Sequence, residues 1–241
     1  MMKKFIHGIT LALLLLLAMP VVVSAQTIPI LDLNLHSRYT FSMADAQKNR
    51  NLVYIFSENE QRMQPGAAWS TSQDVVFNGE YLAVVARPGD QYGVVQDESL
   101  LWNSEKRHQL TFNISATNFR NRAYVLRSNY PGQPDLLLIF QQMTGSGDAA
   151  LKAYFMDKGS LKLIQWQNKW GRLVNTSGTS GSKPLENTGF LTYKASDWAR
   201  SIEYSGGIET IWQLDLASKT MFFSEEVLLN KAWFAKHPKT N

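Results

Sequence analysis

Apolar residues in this chain come in short runs, rich in β-branched and aromatic side chains and closed by turn residues, and this pattern constrains the fold more than any other feature. Asn51–Phe56 (NLVYIF) and Leu136–Phe140 (LLLIF) are apolar on both faces, as expected of buried central strands. Leu110, Phe112 and Ile114 alternate with Thr111, Asn113 and Ser115, the pattern of a half-buried strand. Ile208, Thr210, Trp212, Leu214 and Leu216 alternate with a more polar set, Glu209, Gln213 and Asp215. A one-residue slip there would put Trp212 on the polar face, so the register is well specified.

Turn chemistry joins these runs into hairpins. Ala153–Met156, Asp157-Lys158-Gly159-Ser160 and Leu161–Trp166 read as strand, turn and strand. Ile211–Leu216, Ala217-Ser218-Lys219 and Thr220–Phe223 read the same way, and Tyr92–Val95 with Leu100–Trp102 makes a third candidate. Each hairpin follows another strand: Tyr81–Ala86, Leu136–Gln142 and Phe190–Lys194. Three such units are too few to close a propeller. The expected fold is therefore mainly β, with antiparallel strands and hairpins built as a propeller-like meander or a β-sandwich. A short C-terminal helix is expected from Ser224, with Glu225 and Glu226 in its first turn, Lys231 and Lys236 towards its end and Pro238 stopping it.

At the N-terminus, Lys3 and Lys4 precede an apolar run that ends in Val-Ser-Ala. This is the layout of a secretory signal peptide over residues 1–25, leaving a single β-rich domain over 26–241. The leader makes the expected location extracytoplasmic, and the absence of cysteine, hence of disulfides, suits a bacterial periplasm or medium better than a disulfide-stapled eukaryotic module. Losing Lys3 and Lys4 lowers the formal charge from +4 to +2, a balance that does not point to nucleic acid. No span crosses the membrane once the leader is cut. Asn175–Gly189 reads as an exposed polar loop, and Ser57–Gln73 as a loop that packs in part through Met63 and Trp69.

The absent cysteine excludes thiolate catalysis, iron–sulfur clusters and Cys-based zinc sites. His36, His108 and His237 lack metal-pair spacing, no G-x-S-x-G or phosphate loop occurs, and no cofactor or metal is expected. Gly145-Ser146-Gly147-Asp148, with Asp135 or Asp157 nearby, reads as a hairpin loop, with calcium as the alternative.

Two constellations remain. Between Lys106 and Pro134 the basic residues are Lys106, Arg107, Arg120, Arg122 and Arg127, with no acid among them. Arg120 and Arg122 would project together from one strand, either towards an anionic partner or as cations guarding a sheet edge. Trp166 and Trp170 bracket Gln167-Asn168-Lys169, an aromatic and amide grouping suited to a sugar or a protein partner, with core packing as the alternative for each. The expected function is a non-catalytic binding or interaction module for an anionic or carbohydrate ligand or an envelope protein, with Arg120, Arg122, Trp166 and Trp170 as contacts. The alternatives are a secreted hydrolase whose carboxylates come from separate strands, and a structural subunit of an envelope complex.

Overall fold

The computed structural model describes residues 25–64, 75–101, 109–114, 123–143, 149–167, 170–174, 191–192, 199–203 and 208–228. The described chain is mainly β. In order, it runs β1 (Thr27–Pro29), helix α1 (Ile30–His36), β2 (Ser37–Ala44), β3 (Arg50–Phe56), β4 (Gln61–Met63), β5 (Val75–Glu80), β6 (Leu82–Ala86) and β7 (Tyr92–Val95). A 3-10 turn at Glu98–Leu101 follows, then β8 (Gln109–Ile114), β9 (Ala123–Leu126), β10 (Leu136–Met143), β11 (Ala149–Asp157) and β12 (Ser160–Gln167). The chain continues with β13 (Leu173–Val174), β14 (Leu191–Thr192), β15 (Ala199–Glu203), β16 (Ile208–Asp215) and β17 (Thr220–Leu228).

These strands form a five-stranded sheet in the order β1-β7-β6-β3-β2, a three-stranded sheet β4-β5-β8, and a nine-stranded sheet β14-β15-β16-β17-β12-β11-β10-β9, with β13 pairing β12. Described pairings are antiparallel except β12 with β17, where Trp166 lies opposite Met221. That parallel seam joins two meanders, β9–β12 and β14–β17, and a parallel join needs the long connection that the intervening chain provides.

Period-two alternation sends neighbouring residues into different cores. In β3, Val53 and Ile55 enter a middle core, while Tyr54 and Phe56 enter an outer one beneath α1. In β10, Leu137 and Ile139 face the same middle core, and Leu136 and Leu138 face a second outer core. In β11, Tyr154 and Met156 take the middle side, and Ala153 and Phe155 the outer. Both-face apolar runs are therefore strands with a core on each side, and each fully buried large side chain contributes about 1.5–3 kcal/mol. The three-stranded sheet adds Leu110 and Phe112 to the middle core, where the Phe112 ring meets Tyr81 edge-on at 4.9 Å. Helix α1 begins after Pro29, carries Asp32 in its first turn and His36 in its last, and buries Leu33. It rests so close to β7 that a Cβ on Gly93 would lie 2.7 Å from the side chains of Leu33 and Val84, so any larger residue there requires these buried side chains to shift.

Two of the three expected hairpins form. In β11–β12, Asp157 pairs with Ser160, while Lys158 (φ 49°) and Gly159 (φ 79°) are both left-handed, the tight turn that suits strand twist. In β16–β17, Asp215 pairs with Thr220, and its carboxylate accepts hydrogen bonds from the Ala217 and Ser218 amides and the Ser218 hydroxyl at 3.0, 3.2 and 2.6 Å. The third does not form: β7 pairs with β6 and β1, and Leu100 and Leu101 belong to the 3-10 turn. Both leucines pack on the middle core, and successive residues of a strand cannot face the same side.

The helix expected from Ser224 is also corrected. Strand β17 continues to Leu228, with Glu225 opposite Ile211 and Leu228 opposite Ile208. Ile211 pairs with Glu225 and Trp212 with Phe223, which leaves Ser224 as the extra residue of a bulge. The ladder offered by β16 outweighs a capping serine and two favourable charges, which are worth only about 1 kcal/mol each. Residues 229–241 and the expected leader over 1–24 lie outside the described residues. No described helix is long and apolar enough to cross a membrane.

One buried cation gives a direct test of the middle core. Lys152 is 7% exposed, its ammonium donates to the Leu100 carbonyl at 3.3 Å, and desolvation pushes its pKa from 10.5 down to about 8. The unfolded chain holds this proton up to a higher pH than the folded chain, so stability rises with pH between about 8 and 10.5. Lys152→Met removes the buried charge and leaves the Leu100 carbonyl bonded to the Tyr154 hydroxyl at 2.9 Å. The expected gain at pH 7 is at most about 1–2 kcal/mol, less than the full conversion of the shift, because the hydrogen bonds of the ammonium are lost together with its charge. Urea unfolding at neutral and alkaline pH checks it: the variant should lose the alkaline rise, and destabilisation at pH 7 would contradict the account.

Candidate functional site

Two of the four residues singled out in the sequence have described positions, and they lie in different environments. Trp166 is 1% exposed and meets Trp212 edge-on at 5.1 Å in the outer core of the nine-stranded sheet. Its face is therefore taken by the core. Trp170 is 62% exposed and stands just past β12, beside Gly171 (φ 77°) and the exposed Arg172. Arg120 and Arg122 lie outside the described residues, as do His108, His237 and the Gly145–Asp148 loop. From the same basic segment, Arg127 donates to the Ser42 carbonyl and to Asp135 Oδ2 at 3.1 Å, a structural tie. No group of three or more metal-ligating side chains occurs among the described residues.

A cleft of about 540 Å³ lies at another place, at the tips of three hairpins. The β2–β3 tip supplies Asp45, Asn49, Arg50 and Asn51, the β6–β7 tip Arg87, and the β11–β12 tip Lys158. Each tip has a local reason for its shape. Asp45 is buried and its carboxylate accepts from the Gln47 amide (2.9 Å), the Asn49 amide (2.8 Å) and the Asn49 side chain (3.0 Å), which folds residues 45–49 into a loop. Asp90 caps the Arg87 amide at 2.8 Å, and Gly89 turns the chain at φ 95°. Lys158 is held at the tip of the left-handed turn described above.

The electrostatics follow from how those groups are used. Asp45 spends its charge on its own loop. The side chains of Arg87 and Lys158 meet no carboxylate among the described residues, and the Arg50 guanidinium has only a 3.4 Å contact with the Ser42 hydroxyl. Three exposed cations from separate tips thus line one polar cleft with the Asn49 and Asn51 amides. Their mutual repulsion is weak in water, and a bound anion would turn it into charge-assisted hydrogen bonds. Sequence reasoning did not identify this site because its cations are far apart in the chain. The available signal was one cation beside each turn: Asn49-Arg50, Arg87-Pro88-Gly89 and Lys158-Gly159.

A second cleft of about 330 Å³ contains two exposed carboxylates, Glu58 and Glu80, with Ser57 and Asn59 between them. Asn59 Oδ1 accepts from the Ser57 hydroxyl at 3.0 Å and the Glu80 amide at 2.9 Å. Nearby, Glu60 accepts from Arg38 Nε at 2.7 Å and the Tyr81 hydroxyl at 2.6 Å, while the Arg38 guanidinium lies 3.5 Å over the Phe77 ring. Burial works to raise the Glu60 carboxyl, but the hydrogen bonds from Arg38 and Tyr81 outweigh it and hold the pKa below the usual value. That cluster ties β2 to the start of β4, to β5 and to the β5–β6 junction. No family model, curated protein or solved structure matches this chain.

Proposed function

We propose that this chain is a non-catalytic, extracytoplasmic binding module whose ligand is anionic. The observation that carries the reading is the convergence of Arg50, Arg87 and Lys158 from three hairpin tips on one polar cleft. The leader-like N-terminus supports the location, and the lack of cysteine suits a bacterial envelope better than a disulfide-stapled eukaryotic module. A β scaffold that holds its tips rigid suits binding, because the cations are placed before the ligand arrives. Arg120 and Arg122 remain candidate contacts from the sequence in this reading, and the exposed Trp170 with Arg172 offers a second, aromatic contact.

Calorimetric titration with oligogalacturonate, a sulfated oligosaccharide and a neutral oligosaccharide tests the proposal. The acidic ligands should bind, more weakly as salt rises, and the neutral one should not. Arg87→Ala and Lys158→Ala should each weaken binding about tenfold, the loss of one charge-assisted hydrogen bond. Wild-type affinity in both variants, or no binding of any anion, would overturn it. The secreted-hydrolase reading has one observation in its favour, the pairing of Glu58 and Glu80 in a single cleft. Turnover of any of these glycans that is lost in Glu58→Gln or Glu80→Gln would replace the binding reading with the hydrolytic one.

A further inference from the structure

The described backbone has three non-glycine residues with φ in the left-handed region, and all three are lysines at hairpin tips: Lys48 (φ 67°), Lys158 (φ 49°) and Lys219 (φ 56°). Glycine or asparagine adopts this conformation with less strain. A lysine there needs a reason beyond the turn itself. Lys48 has one: its ammonium donates to the Ser128 and Gln133 carbonyls at 2.7 and 2.8 Å, tying its loop to the β9–β10 connection. Lys158 and Lys219 have no such role, since neither ammonium meets a partner among the described residues.

Lys158 lines the cationic cleft. Lys219 lines another cleft, of about 340 Å³, that also draws on the β2–β3 and β11–β12 tips. The first cleft uses Asp45, Asn49 and Lys158, and the second uses Ala46, Gln47 and Asp157. The two are therefore neighbours along one row of hairpin tips, separated by the 45–49 loop and the 157–159 turn.

We propose that the ligand is a linear acidic polysaccharide lying along this row, with one acidic group held by Arg50, Arg87 and Lys158 and a later one by Lys219. The proposal rests on the anion-binding reading above and adds the ligand's class and length. The lining favours a glycan over other polyanions. The exposed Gln47 and Asn49 offer amides to sugar hydroxyls, and the Asp157 carboxylate can accept from a further hydroxyl, a group that a glycan presents beside its charges. Among the described residues no exposed aromatic side chain lines either cleft, whereas single-stranded nucleic acid is gripped by stacking. Neither cleft is an open strand edge, the usual dock for an extended acidic peptide.

Titration with galacturonate monomer, dimer and octamer reads this directly. A second contact on one chain binds at high effective concentration, so affinity should rise at least tenfold from dimer to octamer. Lys219→Ala should abolish that rise with length, whereas Arg87→Ala should weaken dimer and octamer alike. Lys219→Gly guards against a folding artefact: it relieves the left-handed strain, so it should raise the melting temperature by roughly 2 °C while still losing the length dependence. Equal affinity for dimer and octamer, or an intact rise in Lys219→Ala, would overturn the extended site and leave the single anion site standing. Tighter binding of a single-stranded oligonucleotide or of polyglutamate at equal charge would overturn the glycan assignment. Failure of every anion to bind would remove both readings.

Discussion

Asp135→Ala is expected to cost about 3–5 kcal/mol of folding stability, among the largest effects of any single polar substitution in the described chain. Asp135 is 2% exposed and bonds through both carboxylate oxygens. Oδ1 accepts the Ser128 amide at 2.9 Å, and Oδ2 accepts the Ala44 amide at 2.9 Å and Arg127 at 3.1 Å. Its own amide donates to the Ala44 carbonyl at 2.9 Å. The side chain thus clasps the end of β2 to the β9–β10 connection, where the edges of the five- and nine-stranded sheets come together. Ala44 and Ser128 are themselves buried, so truncation leaves two amide donors without water or partner, at about 1–3 kcal/mol each. Asp135→Asn keeps one acceptor oxygen but turns a donor towards the other amide, and it should cost somewhat less. Urea midpoints for the two variants check this. A loss under about 1 kcal/mol for the alanine variant would show that water enters and replaces the clasp.

The same clasp shows why some of this structure was legible in the sequence and some was not. Asp135 gave no sign of its role, because its partners come from Ala44 and Ser128 and no local pattern links them. Legible features were those set by neighbours along the chain. NLVYIF and LLLIF have no polar face, and β3 and β10 each have a core on both sides. Asp157-Lys158-Gly159-Ser160 carries its turn type in its glycine. Trp212 and Leu214 are buried while Gln213 and Asp215 are exposed, as the alternation requires. Failures came where tertiary pairing decided between close alternatives: Ser224 could cap a helix or fill a bulge, and Leu100-Leu101 could continue a strand or close a turn. The candidate site was hidden for the same reason as the clasp. Arg50, Arg87 and Lys158 are each ordinary turn-flanking cations, and only the stacking of the sheets brings their hairpin tips to one end.

Trp166→Ala and Trp212→Ala should each destabilise the fold by about 3–5 kcal/mol, whereas Trp170→Ala should change stability by no more than about 0.5 kcal/mol. Trp166 in β12 and Trp212 in β16 are on either side of β17, and Phe223 packs edge-on against Trp212 at 5.9 Å. They hold together the two meanders across the parallel seam, so a cavity there weakens the join between the two halves of the nine-stranded sheet. Because the rings touch, the double variant should lose less than the sum of the singles, by about 0.5–1.5 kcal/mol. The pair differ in one respect that a milder substitution exposes. Trp166 Nε1 is buried with no hydrogen-bond partner. Trp166→Phe therefore loses ring volume but also removes an unsatisfied donor, and these effects oppose each other. Its cost should stay near 1 kcal/mol, well below that of truncation to alanine. Chemical denaturation of the single and double variants gives the coupling. Titration of Trp166→Phe with oligogalacturonate should give wild-type affinity, because a ring enclosed by the core has no face left for a ligand. An intact fold with lost affinity in that variant would return Trp166 to the binding surface.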